Sequence, residues 1–260
     1  MPFFRLLVCA LGLLLPPFVF AEAITIGAEN DAAPWSFSDG SGYVNDLVRA
    51  AYKAVDWEVT YEVLPYARCK LKTEKGQLVA CFSASKTPEM ESLLQYSSMP
   101  VFEARNILLA NGDAPLKGCD PDAWGHKISV GFVNQYEYLP SVEALQKSGK
   151  ISVVMTPSEV LMVGMLAHGR LDAVLITLDP VKRIELVSVL AKVKPYFKVV
   201  CDYGNYPAYV AFSRVHPRAA EALAAFNKGI ALITRDGTVA RMQKEWASTV
   251  LSKASGKRSQ

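Results

Sequence analysis

The sequence has few of the features that announce chemistry. Three histidines, His126, His168 and His216, are scattered along 260 residues, and no Cys-x-x-Cys pair occurs among five cysteines. Zinc sites need such ligands at close spacing, so no metal is expected. The chain shows no nucleophile beside a base and no cofactor-binding loop, so neither covalent catalysis nor a cofactor is expected. Net charge is only +3, from 28 Lys and Arg against 25 Asp and Glu. Nucleic acid as a partner would want a concentrated basic face, and none is expected. Past residue 21, no apolar run approaches the roughly 20 residues of a membrane-spanning helix.

The apolar run that does exist lies at the start. Arg5 precedes Leu6 to Leu15, Pro16 and Pro17 break the run, and Val19-Phe20-Ala21 leads into Glu22. A basic start, a short apolar stretch and a small-residue cleavage site make a secretory leader. Residues 1–21 are therefore expected to be a signal peptide, with cleavage after Ala21 or, as second choice, Ala23, and the mature chain is expected in the periplasm. Without Arg5, 27 basic residues face 25 acidic ones, a balance of +2. Cys69, Cys81, Cys119 and Cys201 remain, and export favours disulfides.

Hydrophobic periodicity then alternates between two kinds of element. Ile24–Ala28 reads as a strand, 29–42 as a turn-rich stretch, and Val44–Val55 as a helix. Val59–Leu64 is a strand, Ala67–Lys75 a helix stopped by Gly76, and Leu78–Phe82 a strand. This β-α-β-α-β order implies a parallel sheet covered by helices. After a strand at Asn106–Ala110 and a loop to Gly125, the order repeats. Strands are expected at 128–132, 151–154 and 171–176, and helices at 141–147 and 158–168. Val199-Val200 and 208–212 read as further strands, and 218–234 and 238–248 as closing helices. Two α/β units joined by two extended crossings make two lobes with a cleft, a favoured place for a ligand. Four cysteines allow three pairings. Cys69 and Cys81 are close in the chain, and Cys119 and Cys201 share the other half, so Cys69–Cys81 and Cys119–Cys201 are the expected bonds.

Four stretches carry a family resemblance: Ile26–Asp31 through Pro34-Trp35-Ser36-Phe37; Gly76 through Ser83–Glu89 to Tyr96-Ser97 and Pro100-Val101; Gly169–Val174; and Asp236-Gly237 through Lys244-Glu245-Trp246. In this order they resemble the type II periplasmic solute-binding proteins of family 3, which serve polar amino-acid uptake. The resemblance implies two Rossmann-like α/β lobes joined by a two-strand hinge. Lobe 1 would comprise 22–107 and 210–260, with the C-terminal helices, and lobe 2 would comprise 108–209. The crossings would lie near Ile107–Ala110 and Pro207–Val210. Leu64-Pro65-Tyr66-Ala67-Arg68 further resembles a subgroup reading Pro-Trp-Ala-Arg.

The resemblance also places site residues. The family's carboxylate-binding Arg corresponds to Met90, and its ammonium-binding Asp to Thr177, with Asp179 two residues on. Tyr66 falls where the family presents an aromatic face, Trp35 has a similar place in the first loop, and Glu29 matches a first-strand acid, with Asn30 and Asp31 beside it. Arg68, at the start of a helix on the loop side of the sheet, is expected to replace the missing cation, since its fork of donors suits a carboxylate, sulfonate or phosphate. Ser83, Ser85 and Thr87 alternate along a loop and offer hydroxyls, with Lys86 between them. Gln135 and Tyr136, after Asn134, stand where the family has a glycine-rich turn. The expected protein is a monomeric, non-enzymatic periplasmic binder of a small polar, amino-acid-like or organic-anion ligand, serving an inner-membrane ABC permease. The competing readings are an exported enzyme similar to cyclohexadienyl dehydratase and a subunit that reports ligand to a membrane kinase.

Overall fold

The computed structural model describes residues 22–194 and 196–256. The expected signal peptide, 1–21, lies outside the described residues. The chain opens with β1 (Glu22–Glu29), a small hairpin of β2 (Asp31–Ala32) and β3 (Ser36–Phe37), and α1 (Tyr43–Lys53). Next come β4 (Trp57–Leu64), α2 (Tyr66–Glu74), β5 (Ala80–Ala84), α3 (Pro88–Leu93), β6 (Leu94–Tyr96) and the long β7 (Phe102–Asn111). A second run holds β8 (Ser129–Val133), α4 (Pro140–Lys147), β9 (Ser152–Thr156), α5 (Glu159–Ala167), β10 (Ala173–Leu178) and α6 (Ile184–Ala191). A strand of 17 residues, β11 (Phe197–Ser213), returns the chain, and α7 (Ala219–Arg235) and α8 (Thr238–Gly256) close it.

The strand order is β4-β1-β5-β11-β7-β10-β8-β9, with β6 also on β11. Parallel pairing joins β4, β1 and β5 at one end and β10, β8 and β9 at the other. Between these triplets β7 and β11 run antiparallel. The two stretches expected as separate strands, at 199–200 and 208–212, are parts of this one β11. It pairs with β7 over Phe197–Ala208 and with β5 over Tyr209–Phe212.

Each triplet has its own core. Ile24, Ile26, Val44, Leu47, Phe82, Phe212 and Phe226 pack at the β1 end, while Leu108, Val130, Phe132, Val142 and Leu175 pack at the β8 end. On β7 the change of core falls between Ala104 and Ile107, and on β11 between Tyr203 and Tyr206. Val44, Leu47, Val48 and Ala51 recur at three and four, so α1 buries one stripe. That stripe meets α7 so closely that a Cβ on Gly229 would lie 1.8 Å from the Ala51 carbonyl oxygen.

Cys119 and Cys201 form a disulfide, with Cα atoms 4.9 Å apart, tying the loop after β7 to β11. The expected Cys69–Cys81 bond is not present: both are buried free thiols, packed together between α2 and β5 and in contact with each other. Met90 lies in that same apolar cluster beneath α3.

Two glycine substitutions test this packing. Gly229→Ala should destabilise the protein by roughly 1–3 kcal/mol, because overpacking pushes α7 off α1. Gly164, inside α5, has open space where its Cβ would go. Gly164→Ala should stabilise by about 0.5–1 kcal/mol through helix propensity. Denaturant unfolding of both variants checks the pair, and equal effects would contradict the packing.

Candidate functional site

The carboxyl ends of parallel strands in open α/β sheets carry ligand sites, and here they converge on one cavity. Glu29 ends β1, Tyr66 begins α2 just past β4, Ser83 lies near the end of β5, and Thr177 near the end of β10. Tyr136, Glu137 and Tyr138 come from the loop after β8, and Phe102 and Tyr206 from the paired central strands. With Ala32 and Trp35 these residues line a cavity that leaves about 20 Å³ for the centres of water molecules. One or two waters fill such a space.

The walls reach across to each other. The Tyr66 hydroxyl donates to Glu137 Oε2 at 2.5 Å, and the Lys70 ammonium donates to Oε1 at 2.6 Å. From the other side, the Tyr136 hydroxyl donates to Glu29 Oε1 at 2.5 Å. Trp35 Nε1 donates to Asp179 Oδ2 at 2.8 Å, and the backbone amide of Val181 donates to Oδ1 at 2.8 Å. Lys182, 3% exposed, pairs with Glu159 and places its ammonium 4.2 Å from the centroid of the Trp35 ring. Phe102 stacks on Trp35 at 4.1 Å and 8°. Both faces of that indole are therefore occupied. Glu159 also accepts from the backbone amide and hydroxyl of Thr177, at 3.0 and 2.9 Å.

Burial governs the electrostatics. It lifts the Glu29 carboxyl to about 8, against lowering contributions from the Tyr136 hydrogen bond and the charge of Lys182; Glu159 and Asp31 add to the rise. Burial also raises Asp31 and Asp179, the latter against its hydrogen bonds from the Lys182 amide and Trp35. Tyr66, Tyr136 and Tyr206 are pushed well above the ordinary phenol value, again mainly by burial. Tyr66 and Tyr136 thus act as neutral donors. The Ser83 hydroxyl is buried without a partner among the described residues, on a residue with φ of +67°. That left-handed conformation is costly for a residue other than glycine and tends to accompany functional sites.

Of the residues singled out from sequence, Glu29, Trp35, Tyr66, Ser83, Tyr136 and Thr177 line the cavity. Ser85 and Thr87 instead line a neighbouring groove with Lys86, where Ser85 bonds the Pro207 carbonyl and Thr87 caps α3. Gln135 is exposed, with φ of +65°, at the tip of the loop whose next residue turns inward. Arg68 is exposed, because α2 buries Tyr66, Cys69 and Thr73, and a residue two places past Tyr66 points away. Lys70, four places past Tyr66, is the cation that reaches the cleft. The sequence reading missed Lys70, Glu137, Tyr138, Glu159, Lys182 and Tyr206. For Lys70 the three-and-four spacing along α2 is the signal that would have found it.

The profile of bacterial extracellular solute-binding proteins, family 3, matches residues 24–249. No curated protein matches the chain. Solved structures with a similar fold include AbpA, an amino acid ABC transporter substrate-binding protein of Streptococcus pneumoniae bound to L-arginine. It is 17% identical, with 88% of this chain and 96% of that one covered and a TM-score of 0.70. A histidine kinase sensor domain with similarity to periplasmic binding proteins is 17% identical, covering 86% and 95%, with a TM-score of 0.74. The ancestral amino acid-binding protein AncCDT-1, a precursor of cyclohexadienyl dehydratase, is 19% identical, covering 86% and 94%, with a TM-score of 0.67. At these identities the likeness is one of fold.

Glu29 gives a pH-dependent test. Its folded value lies above its unfolded one, so the neutral carboxyl contributes stability that is complete below about pH 4.5 and lost as pH rises through about 8. Glu29→Gln keeps a neutral partner for Tyr136. The variant should match the wild type in melting temperature near pH 4.5 and exceed it increasingly up to pH 8. A difference independent of pH would show that Glu29 carries no such shift.

Proposed function

The chain belongs to the bacterial extracellular solute-binding proteins, family 3, and from that premise we propose that it captures a small polar ligand in the cleft between its two α/β halves. The exported protein then presents its closed form to an inner-membrane partner, an ABC permease. The observation that carries this reading is the cavity itself, whose walls come from both triplets of strands and whose rim is closed by paired side chains from each half. In this reading the two lobes expected from sequence meet where the cores change, between Ala104 and Ile107 on β7 and between Tyr203 and Tyr206 on β11, rather than at 107–110 and 207–210. The hinge lies where β7 and β11 pass between the two cores. The ligand meets Glu29, Tyr66, Ser83, Tyr136 and Thr177, with Glu137, Tyr138 and Tyr206 completing the wall.

Arg68 has no part in the proposal, being exposed on the outer face of α2. Closure follows from differential affinity: a ligand that bridges both halves favours the closed arrangement only by binding it better than the open one. The buried side chains that cross the cleft already bias that equilibrium. Catalysis asks more than a cleft, and the carboxylates of Glu137, Asp179 and Glu159 each hold donors from the protein. Turnover of a cyclohexadienyl acid by the purified protein would replace the binding reading with an enzymatic one.

Glu137→Ala tests the closure. It removes the acceptor of Tyr66 and Lys70 together. By small-angle scattering the variant should have a larger radius of gyration than the wild type. In a thermal-shift screen of amines, amino acids and organic acids, any compound that stabilises the wild type should do so with at least about tenfold weaker affinity in the variant, the equivalent of roughly 1.4 kcal/mol. An unchanged radius together with unchanged affinities would rule out Glu137 as a closing contact.

A further inference from the structure

The charges of the cleft narrow what it can hold, and this step rests on the binding reading above. Glu29, Asp31, Glu137, Glu159 and Asp179 bring five carboxyl groups to the cavity and its borders. Two lysines face them, and both are engaged: Lys70 with Glu137 and Lys182 with Glu159. An entering carboxylate or phosphate would meet no free cation, and a desolvated anion without one is strongly disfavoured. The carboxylate of an α-amino acid suffers the same cost.

A cation meets the opposite situation. Tyr66, Tyr136, Tyr138 and Tyr206 surround the cavity, and the faces of aromatic rings attract positive charge. Glu29 stands among them, 5% exposed, and among the described residues Tyr136 is the one side chain that hydrogen-bonds its carboxyl, at Oε1. Among the described residues its second oxygen has no such donor. The unpartnered Ser83 hydroxyl lies on the same wall and supplies an acceptor for an N–H. An example of the same chemistry stands next to the cavity, where the Lys182 ammonium rests on the Trp35 ring beside Glu159. The arrangement also limits size. Tyr138 and Tyr206 form a wall shared with the groove that holds Lys86, so a long ligand would have to displace both rings.

We propose that the cleft binds a compact organic cation without a carboxylate, a small primary or methylated amine, with its charge against Glu29 inside the ring of four tyrosines. Calorimetry on the mature chain at about pH 8.5, above the value to which burial lifts Glu29, tests this with methylammonium, ethanolammonium, tetramethylammonium, glycine, acetate and potassium chloride. At least one of the three organic cations should bind saturably, and at least about tenfold more tightly than glycine, acetate or potassium. Glu29→Gln should weaken that binding at least tenfold, and Tyr206→Leu, which removes a ring and leaves Glu29 in place, should weaken it as well. Circular dichroism and the melting temperature show that each variant is folded. Binding of glycine or acetate as tight as that of the cations would overturn the proposal while leaving the solute-binding reading intact. Cation binding unchanged in Glu29→Gln would also overturn it. Failure of every probe, together with a scattering profile that none of them contracts, would overturn both readings.

Discussion

The arrangement of the cleft depends on Glu137, a carboxylate carried by one half of the chain and held by donors from the other. Tyr66 and Lys70 both belong to α2, one helical turn apart, and both reach the same side chain. Charge-assisted bonds of this kind are the strong ones. Their position makes them more than local stabilisers, because they join α2 to the loop after β8, across the cavity. Tyr136 repeats the pattern in reverse, crossing from the second half to Glu29 in the first. The closed cleft is thus an interface of buried carboxylates and neutral phenols. Burial keeps the phenols protonated, and so able to donate.

Much of this fold is legible in the sequence. The three-and-four spacing of Val44, Leu47, Val48 and Ala51 gives α1, and the alternation from Val59 gives β4, each close to its true bounds. The doubled β-α-β-α-β order gives the two parallel triplets of the sheet. Other elements escaped because their signals are short or misleading. The six-residue α3 follows directly on the stretch read as a hydroxyl-bearing loop, and α6, Ile184–Ala191, is too apolar to show a stripe. Residues 201–207 of β11 carry Gly204 and Pro207, ordinary marks of a turn, yet the chain stays extended through two irregularities of register.

The site was legible where chain position alone decides and illegible where packing decides. Glu29 and Thr177 came from the family resemblance and Ser83 from its place in a loop after a strand, and all three stand near the ends of parallel strands. Arg68 was chosen for its chemistry against the phase of its helix. Tyr66, Cys69 and Thr73 define the buried face of α2, and that phase favours Lys70. Glu137 and Lys182 come from irregular segments, and their roles depend on partners 67 and 23 residues away. No local pattern encodes such pairs. Cys69 and Cys81 meet as nearness in the chain suggests, but as thiols packed in an apolar cluster.

A cavity so rich in acid and phenol is expensive for the fold. Burial lifts Glu29 far above an ordinary carboxyl, and each unit of such a shift corresponds to about 1.4 kcal/mol. The Ser83 backbone is held in a conformation that favours glycine, and its hydroxyl gains no protein partner in return. An apolar residue at 29, or a glycine at 83, would avoid these costs. The chain instead keeps a carboxyl group and a hydroxyl on one wall, framed by rings whose remaining hydrogen-bonding groups are largely satisfied elsewhere. Tyr66 donates to Glu137, Tyr136 to Glu29, and Tyr138 to the backbone of β8. The rings are themselves packed together, with Tyr66 and Tyr136 edge to face at 5.4 Å and the Lys70 ammonium 5.5 Å from the centroid of the Tyr66 ring. Unfavourable groups concentrated on a single wall mark it as a part of the molecule not shaped for stability alone, which is what supports placing the proposed ligand there.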